Sequence, residues 1–158
     1  MLSQANRLSS QIDGRYADDI ELQFISEYIQ SFRLRLQTYE KLQAAEAEIV
    51  QQVYDKMQVL NPGLFAPGNT DLSSKWKRDT IRTLRYSATA MLVNDPETLQ
   101  ERFLSWFQTI MRSFGAQQSC NTTYEIMQEV VKQHLTTAQA NLFCPILALN
   151  QRYLGAEV

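Results

Sequence analysis

Residues 75–95 read KWKRDTIRTLRYSATAMLVND, and the reading of this stretch decides the fold. No Gly or Pro interrupts it, so it can form a helix of about five to six turns. At about 100° per residue, Lys77, Ile81, Leu84, Ala88, Met91 and Leu92 share one face, predicted to meet the core. Lys75, Arg78, Arg82 and Arg85 line a neighbouring face, with Asp79 at its far edge. Trp76 falls on the opposite flank, beside the small residues Thr80, Thr83 and Ser87. One helix thus offers a core face, a cationic face and a large aromatic. Two readings follow: a grip on an elongated acidic molecule, or a solvated face whose ion pairs contribute about 0.2–0.5 kcal/mol each. Periodicity alone leaves both open.

Outward from this helix, the segment 61–71, NPGLFAPGNTD, is the clearest loop. Before it, Ile20, Phe24, Tyr28 and Phe32 recur every four residues, with Ile25 and Ile29 beside them, and Leu42, Ala45, Ile49, Val53 and Leu60 continue the stripe. Glu40, Glu46 and Glu48 are expected on its exposed side, and Asp18 or Asp19 as its cap. Residues 3–13 form a short helix that Gly14 ends. After the central helix, Asp95-Pro96-Glu97 starts another, with Leu99, Phe103, Trp106 or Phe107, Ile110 and Phe114 as a core stripe up to Gly115. Ser119 or Asn121 is expected to cap the next, which carries Tyr124, Met127, Val130, Val131 and Leu135. Residues 138–154 make the last helix, bent or split by Pro145. No strand pattern, repeat or low-complexity tract is present.

The composition narrows the chemistry. A chain of 158 residues, 44% hydrophobic, suits one domain with a real core. A formal charge of −2 gives no argument for nucleic acid, and no apolar run of membrane-spanning length occurs. The N-terminal residues lack a signal-like apolar core, so a cytoplasmic location is expected. Cys120 and Cys144 form no metal or redox motif and read as free thiols. His134 is the single histidine and lies too late for a haem ligand, so no metal site is expected. No nucleophile–base arrangement, phosphate loop or dinucleotide pattern appears, and no catalytic residue is assigned.

Arg78-Asp79, Leu84-Arg85-Tyr86, AMLVNDPETLQERFL (90–104) and SFG (113–115) together resemble the pigment-bearing helix and its sequel in the phycobiliproteins, in particular the allophycocyanin β type. Asp13-Gly14-Arg15-Tyr16, AAEAEIVQQV (44–53), Pro67-Gly68-Asn69 and IMQEVV (126–131) resemble further family segments. The resemblance implies an all-α, globin-like phycobiliprotein fold with two extra N-terminal helices: a single domain over 1–158, with the helical pair at 1–32 and the body at 33–158. In that family a linear tetrapyrrole is bonded to a cysteine just before the x-Arg-Asp step. Here Trp76 occupies that position, and an indole forms no thioether. The segment from Asn69 to Trp76 is also shorter than in allophycocyanin.

The resemblance therefore implies no covalent cofactor. It implies a non-covalent bilin, phycocyanobilin or biliverdin, at Arg78, Asp79, Arg85, Asn69 and Trp76. The expected role is a non-light-harvesting one, in bilin metabolism or phycobilisome biogenesis, similar to globins associated with bilin biosynthesis. The alternative is a pigment-free structural subunit of the phycobilisome in which Trp76 fills the vacated space. Either way the expected partner is a second copy or a phycobiliprotein subunit, paired through residues 1–35, in the cytoplasm or at the thylakoid surface. No nucleic acid, membrane insertion or enzyme activity is expected.

Overall fold

The structure, a computed structural model, describes residues 1–65 and 70–156. It is all-α, with no strand among the described residues. Helix α1 spans Leu2–Gln11 and is followed by a turn in which Gly14 takes φ +68°. Helix α2 then runs unbroken over Asp19–Leu60. Asp18 starts it with a capping box: it accepts from the Glu21 amide at 2.8 Å while Glu21 accepts from the Asp18 amide at 2.9 Å. Arg15 forks onto the same Glu21, and that guanidinium, with the Asp18 amide, holds the Glu21 carboxyl down to about 2. Asn61-Pro62-Gly63 ends α2, and Pro62–Phe65 forms a short 3-10 turn.

Helix α3 spans Ser73–Leu92, and Asp95 caps α4, Pro96–Leu99. A π-helical turn, Gln100–Leu104, joins α4 to α5, Ser105–Ser113. Gly115, at φ +61°, turns the chain into α6, Gln117–His134, and α7 covers Thr137–Leu154. The expected side-chain cap on α6 is absent, since the helix begins two residues before Ser119. Thr136 and Gln139 instead make a capping box at α7. Pro145 does not split α7, which continues through it. The last two helices run antiparallel: Gln151 donates to Asn121 at 3.0 Å, and Gln128 to Gln151 at 2.9 Å. Gly155 lets them close, because a Cβ there would stand 2.8 Å from the Asn121 Cα.

The core gathers Leu42, Ile49, Val53 and Met57 of α2, Leu84 and Met91 of α3, Leu104, Met127 and Val130, and Phe143 and Leu147 of α7. Burial begins only at Arg35, so α1 and the first part of α2 carry no buried residue. Arg35 anchors α2 to the end of α3, donating to the Met91 carbonyl at 2.6 Å, where the helix leaves acceptors free. Burial lowers its pKa, as expected for a guanidinium without a carboxylate. Helix α1 folds back on the α3–α4 turn. Asp95 accepts from the Ser3 amide at 3.1 Å and the Ser3 hydroxyl at 2.7 Å, and Arg7 pairs with Glu97 at 3.1 Å.

The predicted core face of α3 needs correction. Its buried residues are Thr80, Thr83, Leu84, Ser87, Ala88, Ala90 and Met91, whereas Lys77 and Ile81 are only half-buried. The small polar positions thus face inward. They do so because their hydroxyls are satisfied within the helix: Thr83 donates to the Asp79 carbonyl at 2.9 Å, and Ser87 to the Thr83 carbonyl at 2.7 Å. Asn150 of α7, fully buried, donates to Ser87 at 2.7 Å across the interface.

Candidate functional site

The sequence argument places five residues at a ligand site, and the structure sorts them onto two flanks of α3. Trp76 and Asp79 border one cavity of about 310 Å³. Arg78 and Arg85 border the open groove on the other flank, with Arg82 and Tyr86. Asn69 lies outside the described residues.

The cavity is bordered by the 3-10 turn, the first half of α3, the end of α5 and the start of α6. Its walls are largely apolar, from Leu64, Phe65, Leu72, Phe107, Met111 and Phe114. Two charged side chains enter it, Lys75 and Asp79, one turn apart on α3. Lys75 reaches across the mouth to lie 3.7 Å above the Phe114 ring, an aromatic left 66% exposed. Asp79, mostly shielded, has the Arg78 Nε 3.5 Å from one carboxylate oxygen. An apolar cleft with a few polar groups is the usual form of a small-molecule site.

Trp76 is fixed into the wall. Its indole N–H donates to the Thr123 hydroxyl at 2.9 Å, and Thr123 donates to the Ser119 carbonyl at 2.7 Å. Its ring lies 5.8 Å from Tyr54 and 5.3 Å from Phe65, the latter nearly perpendicular, within the spacing of favourable aromatic pairs. The indole therefore does not fill the site; open volume remains beside it.

Of the two cysteines, Cys120 borders this cavity and Cys144 does not. Burial, with a smaller contribution from Asp79, pushes the Cys120 thiol up to about 12. It is protonated at neutral pH and a poor nucleophile. Burial likewise raises the neighbouring Tyr124 phenol.

The other flank is differently built. Arg85 makes two hydrogen bonds to Glu46 of α2, both 2.7 Å, so its fork is already occupied by a carboxylate of the same chain. Arg82 lies 5.6–5.9 Å from the ring centres of Tyr86, Phe103 and Trp106. Phe103 and Tyr86 stack at 4.5 Å, and Trp106 is 51% exposed. Leu99, Phe103, Phe107 and Met111, four residues apart, make the buried face, while Trp106 and Phe114 turn outward. The sequence reading missed Lys75 and Cys120 as cavity residues, having read them as part of the cationic face and as a free thiol, and it did not single out Met111 or Thr123. Lys75 was visible one residue before Trp76, whereas the other three come from helices far along the chain and left no local signal.

Among the described residues no group of His, Cys, Asp and Glu could hold a metal ion, and no helix is long and apolar enough to cross a membrane. A family model described as "Phycobilisome protein" matches residues 9–152. The chain is 28% identical over 132 residues to the phycobiliprotein beta chain of Mastigocladus laminosus, covering 80% of this chain and 78% of that one. It is 29% identical over 127 residues to the allophycocyanin beta chain of the same organism, covering 77% and 78%. With the allophycocyanin beta chain of Anabaena cylindrica it shares 31% identity over 111 residues, 68% of each chain. The family match runs from α1 to α7 and takes in every residue bordering the cavity, so this all-α, globin-like chain belongs to the phycobilisome protein family.

Proposed function

We propose that this chain is a non-light-harvesting member of its family that binds a linear tetrapyrrole non-covalently and supports bilin metabolism or phycobilisome biogenesis. The observation that carries the reading is the cavity beside Trp76, with Asp79 and Lys75 at its edge and no reactive thiol around it. A bilin would bring a flat conjugated chain, pyrrole N–H donors and two propionates. Asp79 suits the N–H donors, Lys75 suits a propionate, and the aromatic and aliphatic wall suits the rings. Arg78 acts from outside the cavity by pairing with Asp79, and Arg85 stays with Glu46. Phycocyanobilin and biliverdin are the candidate ligands. The test is equilibrium titration of the purified chain with each, where saturable binding is expected and linear, non-saturating uptake would reject the site.

A second reading is a pigment-free structural subunit, favoured by the way Trp76 is pinned at the pigment's usual point of attachment. Trp76→Ala separates the two. Loss of affinity in the variant fits ligand binding, and affinity that appears only in the variant fits a plugged site.

Under either reading residues 1–35 pair with a second copy or with a phycobiliprotein subunit, in the cytoplasm or at the thylakoid surface. The support is a set of exposed apolar side chains on this segment: Tyr16 is 99% exposed, Ile20 82%, Ile29 67% and Phe32 44%. Ile29 and Phe32, one turn apart on α2, share a face that a partner would cover. Light scattering on the full chain and on Ile29→Glu/Phe32→Glu, alone and mixed with allophycocyanin subunits, tests this. An equal monomeric mass in every case would reject the interface.

A further inference from the structure

We infer that the Trp76–Thr123 pair makes the cavity selective for flat, continuously conjugated ligands, with Trp76 as the contacting ring and Thr123 as its positioning residue. The inference rests on the tetrapyrrole reading above. A site that bonds its ligand covalently can rely on that bond for retention. Here the wall residue is an indole, and Cys120, the cysteine at the cavity, is held protonated. Retention then depends on surface contact, and an aromatic wall rewards a ligand that lies flat against it. Stacked and edge-on aromatic contacts are worth more than the same apolar area without ring geometry.

That reward requires a ring that does not turn. Trp76 has three independent restraints on its orientation: Thr123 on α6 through the indole N–H, Tyr54 on α2, and Phe65 on the 3-10 turn. Thr123 is buried, its hydroxyl has the Ser119 carbonyl at 2.7 Å and the Met57 sulfur at 3.3 Å as acceptors, and the indole N–H can only donate to its oxygen. The hydrogen bond therefore has a fixed direction, and α6 sets the angle of a ring carried by α3. A ligand interrupted by a saturated central carbon folds into two tilted halves and cannot lie along such a wall.

Biliverdin and bilirubin provide the comparison, because they differ at that central carbon and share their propionates. The protein carries two tryptophans, so Trp106→Phe leaves Trp76 as the single indole and its fluorescence as the binding signal. In that background the chain is expected to bind biliverdin more tightly than bilirubin and to lose indole emission on binding. Thr123→Val keeps the volume and removes the acceptor; it should lower the biliverdin-to-bilirubin affinity ratio by about two- to tenfold. Trp76→Leu, read by ligand absorbance, should remove the preference. Trp76→Phe, which keeps a ring without the N–H, should fall between them and covers the case in which Thr123→Val folds poorly. An unchanged ratio in all three variants, with wild-type biliverdin binding intact, overturns the inference and leaves the tetrapyrrole reading standing. Absence of biliverdin binding by the unsubstituted chain overturns both.

Discussion

The two flanks of α3 carry similar residues and do different things. On one, Trp76, Asp79 and Lys75 border an apolar cavity that still has room in it. On the other, Arg78, Arg82 and Arg85 border an open groove, with Arg85 paired to Glu46 and Arg82 lying against Tyr86, Phe103 and Trp106. A row of arginines at helical spacing looks like the ligand-gripping feature. The difference teaches that a charge is less available to a ligand the more tightly its own fold holds it: Arg85 is held by two 2.7 Å bonds, Asp79 by one pair at 3.5 Å. The flank with fewer charges, better shielded from water, has the stronger claim to bind.

The largest expected effect removes the scaffold common to both flanks. Leu84 is buried between them, and Leu84→Ala should cost about 2–5 kcal/mol, read as a lower midpoint in urea unfolding. Next comes the asymmetry itself. Asp79→Asn should weaken biliverdin binding by about 1.5–3 kcal/mol, the range for hydrogen bonds to a charged group. Arg85→Gln should leave the dissociation constant unchanged, since Arg85 lies away from the cavity. Equal losses from both substitutions would erase the distinction between the flanks.

A smaller effect concerns the far end of α3, where α1 is fastened. Burial would raise the Asp95 carboxyl, but hydrogen bonds from Ser3 and Thr98 outweigh it and hold it below its usual range. A depressed carboxyl stabilises the folded state above its unfolded pKa, near 3.8, and that contribution is lost as pH falls through the lower folded value. Acidification below about pH 4 should therefore loosen α1 before the body unfolds, seen as faster amide exchange over residues 2–11. Ser3→Ala should shift that loosening to higher pH. The smallest effect belongs to Arg82→Gln, which should change neither ligand affinity nor the urea midpoint measurably, because exposed arginines contribute little.

Helix ends were legible where the chain carries punctuation. Gly14, Asn61-Pro62-Gly63, Asp95-Pro96 and Gly115 each stand at or beside an observed boundary. The inward face of α3 was less legible, because a hydropathy count favours Ile81 and discounts Thr80, Thr83 and Ser87, the last two with hydroxyls that bond back to their own helix. The π turn over Gln100–Leu104 was invisible for a related reason: one extra residue per turn leaves composition unchanged. At the site, the sequence named Trp76 and Asp79 from a local pattern. It could not see that Glu46, 39 residues before Arg85, would occupy that arginine, nor that Met111, Cys120 and Thr123 would complete the cavity. Those relations are made by packing between helices, which no window along the chain contains.

The central claim, non-covalent tetrapyrrole binding at the cavity flank, is met most directly by one measurement. The full chain is titrated with biliverdin and with phycocyanobilin, saturated, then denatured in acid and separated from small molecules. The account predicts saturable binding by the folded protein and complete release of pigment after denaturation. Pigment that stays with the unfolded chain, or no saturable binding before denaturation, would contradict it.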